Sequence, residues 1–244
     1  MPQALKEKPQ NLPRHIAIIM DGNRRWAAEH YVPRLTGHKK GIEAAQAAVE
    51  AALDLGIEYL TLYAFSSENW KRPQDEVDSL MGLLRLYVSS QLDKMTATGV
   101  RVKFIGRRDN MPQDIVALLN QAEAKTAGGT KLFLTLAINY GSQDEILDAV
   151  KTIAGRIEAG TLKPADITRQ TMAEALATVS VPDPDLVIRT GGEKRLSNFL
   201  LWQTAYSELI FLDQYWPDFN ADLLSAAIQE YQARDRRYGA QVKA

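Results

Sequence analysis

Hydrophobic residues along this chain fall into short apolar runs that alternate with longer stretches of helical spacing. Ile16 to Ile19 is the first run and reads as a buried strand. Asp21, Gly22, Asn23, Arg24 and Arg25 follow as a tight turn, and Trp26 to Glu29 opens a helix. Pro33 and Gly37 mark Tyr31 to His38 as a loop. Lys39 to Leu55 has helical spacing, and Gly56 stands where a C-cap belongs. Tyr59 to Phe65 is a second strand. Asp75 to about Thr98 is a long helix whose apolar face includes Val77, Leu80, Met81, Leu83, Leu84, Tyr87 and Val88. Val100 to Ile105 is a strand, Pro112 to Lys125 a helix, and Leu132 to Ile138 a strand. Ser142 is read as the cap of a helix running to about Glu158. Gly160 to Asp166 is a loop and Ile167 to Thr178 a short helix. Leu186 to Ile188 and Leu209 to Leu212 are two further strands, and Ala221 to Arg237 is a terminal helix.

This alternation predicts an α/β fold: one domain with a central, mostly parallel sheet of about six strands flanked by helices. No repeat, low-complexity tract or linker divides it, so residues 14–244 are read as one catalytic domain after a flexible tail, 1–13.

Composition narrows the function. Lys and Arg number 29 against 30 Asp and Glu, a net charge of −1, which argues against a general nucleic-acid binder. The chain has no cysteine, so disulfides, zinc–thiolate sites and cysteine nucleophiles are excluded. No apolar run reaches the ~20 residues of a membrane span, and the polar opening MPQALKEKPQNLP lacks the apolar core of a signal peptide. A soluble, cytoplasmic protein is expected.

The chemically distinctive residues gather just after strands. Asp21 to Arg25 follow the first; Ser66, Ser67, Glu68, Asn69, Trp70 and Arg72 follow the second; Asn139 follows the fourth; Arg189 to Arg195 follow the fifth. In a parallel sheet these ends lie on one side, where open α/β sheets bind ligands. A cleft lined by Arg24, Arg25, Arg72, Arg189 and Arg195, with the carboxylates Asp21 and Glu208, suits a diphosphate with Mg²⁺, because guanidinium forks bind phosphate oxygens in pairs. Singly, each arginine reads as a solvated loop residue, and Trp26, Trp70 and Trp202 as packing residues. The clustering favours the site. The chain has no Walker A loop, G-x-G-x-x-G or G-x-S-x-G. Ile19 stands where an aspartyl-phosphate phosphatase would carry its nucleophile.

Three blocks carry a specific resemblance: MDGNRRWA (Met20 to Ala27), YAFSSENWKRP (Tyr63 to Pro73) and DLVIRTGGEKRLSNFLLWQTAYSELIF (Asp185 to Phe211). In this order they resemble the signature blocks of the cis-prenyltransferases, most closely the bacterial isoprenyl transferases typified by undecaprenyl diphosphate synthase. The resemblance implies Mg²⁺-dependent transfer of isopentenyl units from isopentenyl diphosphate onto an allylic diphosphate such as farnesyl diphosphate. New double bonds take Z geometry, and the product is a long polyprenyl diphosphate of the kind that carries cell-wall glycans. It also implies a homodimer, an apolar tunnel and transient membrane contact for product release.

Carried onto this chain, Asp21 binds Mg²⁺ and helps the allylic diphosphate leave, with Glu208 completing the metal site. Gly22, Asn23, Arg24 and Arg25 hold the allylic diphosphate, with Arg34 and His38 from the following loop, and Trp26 is counted with the substrate-binding residues. Ser66, Ser67, Glu68, Trp70 and Arg72 position substrate. Arg189, Arg195, Leu196 and Ser197 hold isopentenyl diphosphate. Asn69 occupies the position assigned to proton removal. A neutral amide is a poor base, so Asn69 is expected to orient the substrate while released diphosphate or water takes the proton. The Asp75–Thr98 helix, with Tyr59–Phe65 and Leu132–Ile138, is expected to wall the tunnel, with small Ala64 at its mouth. Two positions depart from the common bacterial pattern: Arg24 replaces a glycine, and NYGSQ (Asn139 to Gln143) replaces NYGGR. The competing readings are a short- or medium-chain synthase, a non-catalytic partner subunit of the same family, and an unrelated phosphate-binding hydrolase.

Overall fold

The computed structural model of the chain describes residues 11–234. Six strands form one sheet: β1 (His15–Ile19), β2 (Tyr59–Ser66), β3 (Val100–Ile105), β4 (Leu132–Tyr140), β5 (Leu186–Arg189) and β6 (Glu208–Phe211). Their spatial order is β3-β4-β2-β1-β5-β6, and every neighbouring pair is parallel. The connections carry α1 (Asn23–Glu29), α2 (Arg34–Leu55), α3 (Gln74–Thr98), α4 (Gln113–Thr126), α5 (Ser142–Glu158) and α6 (Arg169–Ala175). The helix α7 (Ala221–Ala233) follows β6.

Side chains alternate across a strand, so each central strand feeds two cores. Ile16, Ile18, Leu60, Leu62, Leu134 and Leu136 face α2, α3, α4 and α7 and build the larger core. Burying each such side chain contributes roughly 1.5–3 kcal/mol. Ala17, Ile19, Tyr63, Ala137 and Val187 face the other way. There the covering layer is not a helix. Phe199 and Leu200, from the irregular segment after β5, complete that core, with Phe199 stacked on Tyr63 at 4.5 Å. Helices α5 and α6 add a small cluster of Ala149, Ile153, Met172 and Leu176.

Three boundaries differ from the sequence reading for identifiable reasons. The expected loop Tyr31–His38 ends early, because Pro33 (φ −55°) is preset to lead directly into α2 at Arg34. Gly37 therefore lies inside a helix, where an added Cβ would stand 2.2 Å from the Asn23 carbonyl oxygen. It serves close packing of α2 on α1, and Gly41 does the same one turn later against the Asn23 side chain and Trp216. Ser142 is not the cap of α5: Gly141 holds that place, and Ser142 Oγ accepts from the Leu201 amide instead. The expected helix Ile167–Thr178 shortens to α6, started by a Thr168–Thr171 capping box. Residues 1–10 of the expected tail and 235–237 of the expected terminal helix lie outside the described residues. No helix among the described residues is long and apolar enough to cross a membrane.

Candidate active site

The ends of β1, β2 and β5 build the site. Asp21 follows β1 and is fixed through its backbone: its amide donates to Thr190 Oγ1 at 3.0 Å, and its carbonyl accepts from Thr190 Oγ1 at 2.7 Å and from the Trp216 amide at 2.9 Å. Gly22 then turns the chain into α1 with φ 114°, a value L side chains rarely adopt, and a Cβ there would strike Tyr215 at 2.7 Å. No side chain caps the first turn of α1.

The Asp21 carboxylate is held between two guanidinium groups. Oδ2 accepts from Arg189 Nη2 at 2.8 Å, and Oδ1 lies 3.1 Å from Arg25 Nη2. Arg189 is 4% exposed at its side chain and links two halves of the site, since its Nη1 also donates to Ser197 Oγ at 2.7 Å and to the Arg195 carbonyl at 2.5 Å. Arg25 reaches the Gly191 carbonyl and lies over the Tyr215 ring at 5.5 Å. Arg195 pairs with Glu193. Ser197, Asn198 and Leu200 all have positive φ, so the segment that presents Ser197 is held in a left-handed conformation by its surroundings.

Arg24, Arg25, Arg34 and Arg72 line a polar cavity of about 580 Å³ together with Asp21, Gly22, Asn23 and His38. Beside it lies an apolar cavity of about 120 Å³. Its walls are Ile42 and Ala45 of α2, Leu62 and Phe65 of β2, Leu80, Met81, Leu83, Leu84 and Tyr87 of α3, and Leu136 and Ile138 of β4. These are the walls expected for a tunnel, with α2 as an addition. Met20, Asn23, His38, Ala64 and Leu80 line both cavities, so Ala64 stands at their junction.

The turn after β2 is a short 3-10 helix, Ser67–Lys71. Asn69 shapes it: Asn69 Oδ1 accepts from the Ser66 amide at 3.1 Å in a capping box. Glu68 accepts from Asn198 Nδ2 at 2.8 Å, which joins this turn to the Ser197 segment. That bond helps hold Glu68 below the ordinary carboxylate range against the opposing effect of burial. Ser67 Oγ bonds Glu68.

Four of the expected site residues make their contacts outside the lining of the polar cavity. Trp26 Nε1 donates to Asp218, and its ring stacks on His30, outside the polar cavity. Trp70 packs against Phe65 and donates to Asn139 Oδ1 at 2.7 Å. Leu196 packs into the smaller core. Glu208 opens β6, level with Leu186 and Ile16, and pairs with Arg234 at 2.8 Å. Asp21 lies beyond the other end of β1, so the two carboxylates of one chain are roughly 16 Å apart along the strand direction. Among the described residues no three His, Cys, Asp or Glu side chains gather as a metal cluster.

Thr190, named in the sequence only among the residues after the fifth strand, fixes the Asp21 turn; the residues that the sequence reading missed are Tyr215, which packs against Gly22, and Glu76, the buried carboxylate of the first turn of α3. Glu76 is 9% exposed at its side chain and lies 3.0 Å from Arg72, 3.8 Å from Arg34 and 3.9 Å from His38.

A wholly parallel sheet with an arginine-lined cavity at its strand ends, adjoining an apolar cavity between two helices and the sheet, defines the class: an α/β protein in which a basic and an apolar cavity share one wall. Sequence similarity gives that class its family. The family described as putative undecaprenyl diphosphate synthase matches residues 19–239, and the chain belongs to it. An isoprenyl transferase of Zymomonas mobilis is 54% identical over 93% of this chain and 92% of its own length. One from Rhizobium meliloti is 50% identical over 95% and 94%. Among solved structures, lavandulyl diphosphate synthase from Lavandula x intermedia, in complex with dimethylallyl diphosphate, superposes with TM-score 0.91 at 34% identity, covering 93% of this chain and 98% of that one. A probable undecaprenyl diphosphate synthase from Campylobacter jejuni superposes with TM-score 0.78 at 32% identity, covering 94% and 100%. The protein is a prenyl-transferring enzyme of the cis-prenyltransferase fold.

Proposed function

We propose that this enzyme condenses isopentenyl diphosphate onto farnesyl diphosphate, with Z geometry, to make a long polyprenyl diphosphate that serves as a lipid carrier for glycans. The observation that carries the reading is the junction at Ala64: a cavity of guanidinium groups and a cavity of aliphatic side chains share one mouth. An allylic diphosphate has that polarity. Its headgroup would lie on Gly22 to Arg25, Arg34, His38 and Arg72, and its tail between α2 and α3. Isopentenyl diphosphate would take the other half of the site, at Arg189, Arg195 and Ser197, with Ser66 to Asn69 orienting it.

Magnesium fits as a partner of the substrate. Mg²⁺ keeps several waters and is commonly bound through one or two carboxylates plus substrate phosphates. Asp21 offers one carboxylate beside the arginines. Bound there, the ion would offset charge building on the leaving diphosphate. Glu208 can join Asp21 only from a second copy of the chain, which agrees with a homodimer. The exposed apolar side chains Leu147, Val150, Leu201, Trp202 and Tyr206 supply surface for such a contact. Transient contact with a bilayer would follow from the product's own apolarity.

Sizing the products of purified enzyme with Mg²⁺, farnesyl diphosphate and labelled isopentenyl diphosphate tests this. A long ladder is expected. A single short product would move the enzyme to the short-chain branch. Absence of product with every allylic primer would refute the reading.

A further inference from the structure

We propose that Glu76 is a positioning residue of the diphosphate pocket and that, through it, His38 takes up a proton when a diphosphate binds. The inference rests on the diphosphate reading above and adds to it a residue and a proton.

A carboxylate in the first turn of a helix is commonly an exposed partner of the helix dipole. Glu76 is instead buried and faces three basic side chains, Arg34 and His38 from α2 and Arg72 from the turn that precedes α3. Arg72 Nη1 donates to its Oε1 at 3.0 Å, Arg34 Nη1 lies 3.8 Å from Oε2, and His38 Nε2 lies 3.9 Å from Oε1. The start of α2, the end of the 3-10 turn and the start of α3 thus meet at one carboxylate. The arrangement is incomplete: Glu76 Oε2 and His38 Nε2 are both buried without a hydrogen-bond partner. Buried polar atoms of this kind cost stability unless a partner arrives. His38 also lies between compartments, lining the polar cavity on one side and a hollow of about 190 Å³ with Glu76 on the other.

The groups around His38 set its charge. Arg24 faces it from α1, Arg72 and Glu76 from the segment entering α3, and Arg34 lies one turn earlier on its own helix. Burial holds the imidazole below its ordinary range, and Arg72 and Arg24 add to this, while Glu76 opposes them. The free enzyme therefore carries neutral His38. A bound diphosphate reverses the balance. It would offset the charge of Arg24 and Arg72, both of which line its cavity, and bring negative charge of its own. What remains beside the imidazole is Glu76. One proton then comes from solvent to Nε2, an atom that the free protein leaves unpartnered, and the imidazolium faces the Glu76 carboxylate, whose Oε1 lies 3.9 Å away.

The chain has three histidines, so the test is direct. His15 is locked between Pro182 and Thr61, and His30 is on the surface. NMR of isotope-labelled histidine, assigned with His38→Gln, reads each imidazole separately. Near neutral pH, farnesyl diphosphate without metal should convert His38 from the neutral to the imidazolium signature. In Glu76→Gln the conversion should shift downward by roughly one pH unit, a tenfold loss of proton affinity, and Glu76→Asp should restore part of it. A Glu76 of merely structural importance would lower Tm and leave the His38 titration as in wild type, which overturns the proposal. So does His38 staying neutral while a thermal shift shows the ligand bound. No thermal shift and no resonance change with farnesyl diphosphate would instead overturn the diphosphate reading itself.

Discussion

Replacing Asp21 by Asn removes one charge from the centre of the site while keeping its shape. Two ion pairs are affected. That with Arg25 is exposed (42% and 31% of the two side chains), so its loss costs about 0–1 kcal/mol. That with Arg189 is different, because the Arg189 side chain is 4% exposed and water cannot replace the lost carboxylate. Removing one partner of a fully buried pair costs about 3–5 kcal/mol. Asp21 itself is 31% exposed, and an asparagine oxygen can still accept one hydrogen bond, so about 2 kcal/mol is the expected loss. For a chain of this size that is a fall in Tm of roughly 4–8 °C. Inorganic diphosphate without metal should then raise Tm more in Asp21→Asn than in wild type. The anion takes the place of the missing carboxylate, and no fixed negative charge competes with it. Thermal denaturation with and without diphosphate reads both effects. An unchanged or higher Tm without ligand, or an equal rise with it, would refute the claim that Asp21 and the arginines hold each other in the free enzyme.

Ala64→Leu fills the shared mouth of the two cavities and should move the product ladder to shorter chains; an unaltered ladder would separate Ala64 from the path of the chain. Gly37→Ala places a carbon 2.2 Å from a backbone oxygen, so it should cost about 1–3 kcal/mol in denaturant unfolding and weaken diphosphate binding as α1 is pushed away. His15 is 2% exposed, and burial pushes its pKa from 6.5 down to about 4. The unfolded chain binds that proton first, so stability is fully present above about pH 6.5 and falls by about 3 kcal/mol as pH drops to about 4. Comparing unfolding midpoints of wild type and His15→Asn over that range isolates the effect, and parallel curves would contradict it.

Much of this molecule is legible in its sequence because local chemistry agrees with the fold. The apolar runs at Ile16, Leu60 and Leu132 became central strands, and the polar clusters after them met on one side of the sheet, as parallel pairing requires. What was not legible depends on contacts across the chain. Gly37 reads as a breaker, yet it is a packing surface for Asn23 within α2. Ser142 reads as a cap, yet its hydroxyl serves the Leu201 amide. Glu76, in the stretch QDEVDS, is indistinguishable from an ordinary acid in the first turn of a helix until Arg34, Arg72 and His38 are brought to it. Family resemblance placed Glu208 beside Asp21. The sheet sets them apart within one chain, since Glu208 begins a strand and Asp21 follows the end of one.

The central claim is that one ligand spans the arginine cavity and the apolar cavity through the junction at Ala64. A crystal structure of the enzyme with an unreactive analogue of farnesyl diphosphate tests it most directly. The account predicts a diphosphate on Gly22 to Arg25, Arg34 and Arg72, with the tail running past Ala64 between α2 and α3. A tail lying on the protein surface, or a diphosphate bound away from Arg24 and Arg72, would contradict it.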